Sequence, residues 1–109
     1  MFNTMDKVNS NIKNKVKELY TKKATLKDLN LENADLEGVY LVDADMKNCN
    51  LAKTNLSNCS MYGINLSNSN LFKANLKNTN LKNSNLTNCN LLGVNFENTK
   101  LENINWGPN

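Results

Sequence analysis

The side chains in this chain with evident chemistry are three thiols (Cys49, Cys59, Cys89), ten carboxylates and thirteen lysine amines; histidine and arginine are absent. An odd number of thiols with no close pair fits neither a disulfide framework nor a zinc site. The carboxylates Glu32, Asp35, Glu37, Asp43 and Asp45 crowd a short stretch, and oxygen donors of that kind suit a hard cation if they converge. Nothing accompanies them to make a catalyst. There is no imidazole base, no serine in a strand-to-helix elbow and no glycine-rich phosphate loop. The Asn-x-Ser/Thr triplets at Asn55, Asn58, Asn65 and Asn85 are what an asparagine-rich chain produces by composition. No catalytic residue, cofactor or metal ligand is expected.

Whether those groups meet depends on the elements that carry them, and one period decides the elements. Stepping by five from Leu26 gives Leu31, Leu36, Leu41, Met46, Leu51, Leu56, Met61, Leu66, Leu71, Leu76, Leu81, Leu86, Leu91, Phe96, Leu101 and Trp106, seventeen apolar residues without interruption. Two residues before each lies a small or uncharged one, such as Ala34, Val39, Cys49, Thr54 or Ser69, and the residue between is mostly asparagine or aspartate. A five-residue step spreads around an α-helix and alternates between the faces of a strand, so neither buries the series. It is satisfied if the chain turns a corner after every five residues, with one large and one small residue pointing inward on each side. Asparagine suits such corners, because it tolerates left-handed backbone and bonds its own main chain. Coils stacked at about 4.8 Å then enclose a continuous core. Such a filled core leaves no ligand pocket of the usual kind.

The register Ala34-Asp35-Leu36, Ala44-Asp45-Met46 and Ala74-Asn75-Leu76 resembles the pentapeptide-repeat family over residues 24–108. The resemblance implies an all-β solenoid, a right-handed quadrilateral β-helix with 20 residues per coil and about four coils. Residues 1–23 are expected to form an N-terminal cap, leaving 24–109 to the β-helix. Within the cap Met5, Val8, Ile12, Val16, Leu19 and Tyr20 fall on one helical face, Thr4 can serve as N-cap, Asp6 sits in the first turn, and Lys22 and Lys23 follow the last.

With 20 residues per coil, residues 20 apart stack. One surface then gathers Tyr40, Val42 and Tyr62, and the opposite one Ala52, Phe72 and Leu92, both stacked apolar groups of the kind that mark partner contacts. The acidic residues fall on different sides and read as solvated surface. Cys49 and Cys89 share an inward ladder two coils apart, beyond disulfide reach, and Cys59 lies on another side, so all three read as small core residues. Phe96, Leu101 and Trp106 gather at the C-terminal end with only three residues after them. Several members of the family resembled dimerise there, which implies a homodimer through that coil.

Residues 1–23 sum to +4 and residues 24–109 to −1. Neither is the clustered basic footprint of a nucleic-acid binder, so no direct nucleic-acid contact is expected. Some pentapeptide-repeat proteins bind DNA gyrase or topoisomerase IV as duplex mimics and protect them from quinolones, which makes that reading the alternative. A mimic needs dense negative charge, since duplex DNA carries one charge per about 1.7 Å; a sum of −1 does not supply it. A second alternative is a membrane-associated or effector module working through the basic helix. No stretch approaches the roughly 20 apolar residues of a span and no signal-peptide pattern opens the chain, so the expected compartment is the cytoplasm. The favoured expectation is a non-catalytic protein-interaction or scaffolding module with a protein partner.

Overall fold

A side of five residues requires a sharp corner, and the backbone supplies one each time. The computed structural model describes the backbone of residues 4–108 and the side chains of residues 10–108. At a representative corner the Ala34 amide donates to the Leu31 carbonyl at 3.0 Å, and Asn33 has φ +62°. A positive φ confined to the third residue of the turn is type II geometry. The residue two after the large apolar one has φ between 56° and 76° at every corner from Asp28 to Asn103. Left-handed backbone costs an ordinary residue about 1–2 kcal/mol. Asparagine therefore fills most of these places, and glycine takes three (Gly38, Gly63, Gly93).

A second set of asparagines, each just before the large residue, does something different. Asn50 Oδ1 accepts from the Ala52 amide at 3.1 Å, Asn65 Oδ1 from the Ser67 amide at 3.0 Å and Asn85 Oδ1 from the Thr87 amide at 2.9 Å. These Asx turns lead the chain into each corner. The same residues hold the coils together through parallel bridges spaced by 20 residues, from Asn30 with Asn50 to Asn85 with Asn105. A bridge consists of bonds such as Leu31 N–H to Asn50 O (2.8 Å) and Asn50 N–H to Leu29 O (2.9 Å), and each corner from Asp28 to Asn83 adds one more, such as Asn33 N–H to Ala52 O (2.9 Å). Four bridges per 20 residues make the coil four-sided.

The interior is filled by the large residues. Leu36, Leu41, Met46, Leu51, Leu56, Met61, Leu66, Leu71, Leu76, Leu81 and Leu86 are fully buried, and Leu26 and Leu31 nearly so. Where the small inward residue is polar, its hydroxyl reaches back to the carbonyl of the large residue in the preceding coil: Thr54 to Leu31, Ser69 to Met46, Ser84 to Met61. Apolar and hydroxylic residues are therefore interchangeable in this slot without stranding a donor, and among the described residues no buried side-chain polar atom lacks a partner. The last member of the core series differs. Leu91 is half-buried, as are Phe96 and Leu101 after it, because no further described coil lies beneath them.

Helix α1 (Thr4–Thr21) lies over the first coil. Val16 is buried, and Ile12, Leu19 and Tyr20 pack on the coil core. The side chains of Thr4, Met5, Asp6 and Val8, expected as cap and apolar face, lie outside the described residues. The helix ends in a Schellman motif, with Ala24 N–H to Leu19 O at 2.9 Å, Lys23 N–H to Tyr20 O at 3.1 Å and Lys23 at φ +57°. Lys22 pairs with Glu18 at 2.9 Å on the exposed face, a contact worth a few tenths of a kcal/mol. Among the described residues no helix is long and apolar enough to cross a membrane.

Candidate interaction surface

Rigid coils convert sequence spacing into surface spacing, so each expected contact residue has a definite place. Tyr40 is 61% exposed and Tyr62 40% exposed on the same side, with Val42 half-buried between them. Both rings are held. Tyr40 meets Tyr20 of α1 edge-to-face at 5.9 Å and 74°, and the Tyr62 hydroxyl takes a hydrogen bond from Asn83 Nδ2. Ordered aromatics with little rotamer entropy left to lose are what protein-contact hot spots use. Further along this side Lys82, Lys100 and Glu102 replace the apolar residues.

The second expected patch needs correction. Ala52 is 6% exposed and belongs to the interior of the surface layer rather than to its face. A methyl group between Glu32 above and Phe72 below is covered by its larger neighbours. Phe72 is half-buried, with the Lys73 amine 5.2 Å from its ring centroid; Leu92, 69% exposed, is the one exposed member. At the C-terminal end Trp106 is 49% exposed, while Phe96 and Leu101 are half-buried.

The five clustered carboxylates do not converge. Glu32 accepts from Asn50, Asp35 from Asn55 and Glu37 from Asn58, while Asp45 has Lys27 at 3.7 Å and Lys47 at 3.9 Å. Among the described residues no group of three possible metal ligands forms.

The thiols are tied into the core. Cys49 Sγ donates to Leu26 O at 3.1 Å and Cys59 Sγ to Leu36 O at 3.3 Å, the same backward reach as the hydroxyls. Burial pushes all three thiol pKa values up, that of Cys59 to about 11. Nucleophilicity requires thiolate, so a thiol reagent at about pH 8 should label the folded chain slowly, Cys89 first because it is half-exposed, and the unfolded chain at all three sites. The same shift sets a pH dependence. Between the ordinary thiol range near 9 and about 11, the unfolded chain has released a proton that folded Cys59 retains, so stability falls as pH rises through this window. The loss from Cys59 is at most about 2–3 kcal/mol, and Cys59→Ala should flatten the alkaline limb of chemical denaturation midpoints against pH. An unchanged limb would contradict the burial argument.

Two features escape the sequence pattern. Tyr20 counts as one apolar helical residue, yet its hydroxyl donates to Val42 O at 2.8 Å. Burial, then Tyr40 and Asp43 nearby, raise its pKa and keep it a donor. Beside it opens a cleft of about 700 Å³ between the end of α1 and the next coil, lined by Tyr20, Lys23, Leu26, Lys27, Val42 and Asp45 among others. The coil core is filled as expected; this cleft is a product of the junction, which periodicity alone does not describe.

Residues 29–106 match a family model described as the pentapeptide repeat region. Among solved structures the chain is similar to alr5209, a pentapeptide repeat protein from Nostoc PCC 7120, at 28% identity and a TM-score of 0.73, over 77% of this chain and 70% of that one. It is also similar to the pentapeptide repeat protein Rfr23 from the cyanobacterium Cyanothece 51142, at 33% identity and a TM-score of 0.47, over 77% of this chain and 61% of that one. A third similar structure is HetL from Nostoc sp. strain PCC 7120, described as involved in heterocyst differentiation regulation, at 24% identity and a TM-score of 0.40, over 71% of this chain and 38% of that one. No curated protein sequence matches.

Proposed function

The chain belongs to the pentapeptide-repeat family, and from that premise we propose that it works as a non-catalytic protein-interaction module, a right-handed four-sided rod that presents side chains to a protein partner at fixed spacing. The observation that carries this reading is the side holding Tyr40 and Tyr62, two exposed aromatic rings each fixed by a neighbour. The Phe72 and Leu92 side is the weaker candidate, since Ala52 is buried and Phe72 half-buried. α1 serves as the cap of the first coil, its buried Val16 covering core that would otherwise meet water.

The test is a pull-down that compares the unmodified chain with Tyr62→Asp and Leu92→Asp. Both substitutions lie on the surface and should leave the fold intact by circular dichroism. Loss of the captured partner with Tyr62→Asp and its retention with Leu92→Asp would fit the reading, with at least a tenfold drop in recovered partner expected for removal of one hot-spot aromatic. Equal capture by all three chains would overturn the choice of face.

The same module is proposed to pair with a second copy through its C-terminal coil. Phe96, Leu101 and Trp106 are partly exposed there, and the amides of Leu91, Phe96 and Leu101 have no backbone acceptor among the described residues. An edge with bare amides and apolar side chains is the kind that another edge covers.

A further inference from the structure

The 20-residue register predicts three backbone bonds at the top of the solenoid that do not form. From Asn50 onward the residue before each large one donates its amide to the coil above, as Asn65 does to Ala44 O at 2.9 Å and Asn85 to Ile64 O at 3.0 Å. By that rule Asp45 N–H should meet Ala24 O, Leu26 N–H should meet Asp45 O, and Lys23 N–H should meet Val42 O. None of these bonds is present among the described residues, and no bridge joins Thr25 to Asp45, although Asp45 does bridge to Asn65 below. The cause lies in α1. Its Schellman motif directs the Lys23 and Ala24 amides to Tyr20 O and Leu19 O, and the Tyr20 hydroxyl takes the Val42 carbonyl in place of the Lys23 amide. The ladder resumes only at Asp28 N–H to Lys47 O, 3.0 Å. The cleft of about 700 Å³ occupies the place of the missing bonds.

We propose that this cleft is a strand-docking site, in which one extended peptide segment of a partner protein supplies the bridge to Asp45 that Thr25 does not. An amide and a carbonyl on one residue, neither with a backbone partner among the described residues, are the elements of strand addition, where main-chain bonds supply affinity and side-chain pockets supply selectivity. The small residues flanking the gap are Ala24, exposed, and Ala44, buried, so the guest meets little bulk on either side of its bridging position. Its walls carry both signs, Lys23 and Lys27 against Asp43 and Asp45, and the Lys27 and Lys47 contacts to Asp45 at 3.7 and 3.9 Å are loose enough to exchange. That balance fits a segment of low net charge. The site adjoins the Tyr40 and Tyr62 side through Tyr20 and Val42, but Tyr62 does not line it, so Tyr62→Asp tests that side without removing the cleft.

Two measurements on the full chain test the proposal. In amide hydrogen exchange, Asp45 N–H should exchange at least about 100-fold faster than the bonded Asn65 and Asn85 amides; equal protection would show that the bridge closes in solution and would overturn the idea. In a titration with acetyl-Ala-Asn-Val-amide followed by backbone amide resonances, saturable shifts should centre on Asp45, Ala44 and Lys23 to Leu26, with a dissociation constant on the order of 1 mM for a single bridge. The same peptide N-methylated at its valine cannot donate to Asp45 O and should bind at least about tenfold more weakly. Equal binding of the two peptides, or no shifts at Asp45, or shifts confined to Leu91–Asn105 at the other open edge, would each overturn it.

Discussion

Deleting the single residue Asn68 is expected to abolish cooperative folding, whereas deleting the twenty residues Leu51–Asn70 is expected to leave a folded rod one coil shorter. The smaller lesion is the worse one because of how each side is built. Asn68 supplies the left-handed corner at φ +62°, and its amide bonds Thr87 O at 2.9 Å. Without it, four residues cannot both turn a type II corner and span a side. Either Leu71 leaves the core or every later residue shifts by one place, which turns inward residues outward. The bridges from Asn50–Asn70 onward lose their register in the second case. The cost is comparable with the whole stability of a domain, roughly 5–15 kcal/mol.

Removing Leu51–Asn70 joins Asn50 to Leu71 and preserves the order of every position. A solenoid's stability is close to a sum over neighbouring coils, so the shortened chain should melt cooperatively at a lower temperature. It also carries its own register report. Cys49 and Cys89 stand two coils apart in the intact chain; in the shortened one they occupy adjacent rungs about 4.8 Å apart, within disulfide reach. Oxidation should link them in the deletion variant and not in the parent, read by thiol titration and mass. A one-residue deletion that melts within a few degrees of the parent, or a 20-residue deletion that fails to fold, would contradict the account.

This contrast also shows why so much was legible in the residues. The five-residue period fixes which side chain faces inward because each corner resets the direction of the chain, and Gly38, Gly63 and Gly93 in one slot mark where left-handed backbone falls. What the period cannot carry is anything that depends on neighbours a coil away. Ala52 occupies the same slot as Leu92, yet one is buried and the other exposed, because Phe72 and Glu32 flank the first. The Ala24-Thr25-Leu26 repeat reads like any other, and nothing in it announces that the Asp45 bridge stays open. The decision is made by Lys23, a non-glycine residue in the left-handed place of a Schellman motif, and by Tyr20, whose hydroxyl competes for the next carbonyl. The cleft and the partly exposed C-terminal edge are thus properties of a junction and an end, where the repeat rule stops, whereas the Tyr40 and Tyr62 side follows from the rule.

Position along the rod should appear directly in the response to truncating the same residue type. Leu66 is fully buried between Met46 above and Leu86 below, and the ladder bonds Leu66 N–H to Asn85 O (2.9 Å) and Asn65 N–H to Ala44 O (2.9 Å) hold the coils at fixed spacing. A backbone so held cannot close over a lost side chain, so Leu66→Ala should fall in the upper part of the 2.7–5 kcal/mol range for such truncations, at about 4 kcal/mol. Leu101 holds the same place in the five-residue repeat seven repeats later, but is half-buried at the C-terminal edge; Leu101→Ala should cost the isolated chain only about 1 kcal/mol. The two variants separate further if the edge pairs with a second copy. The melting temperature of the parent should then rise with protein concentration, as should that of Leu66→Ala, whereas Leu101→Asp should melt independently of concentration and run as a monomer. Light scattering that gives a monomeric mass for the parent at high concentration would remove the dimer while leaving the comparison of Leu66 with Leu101 intact, because that comparison depends on burial within one chain.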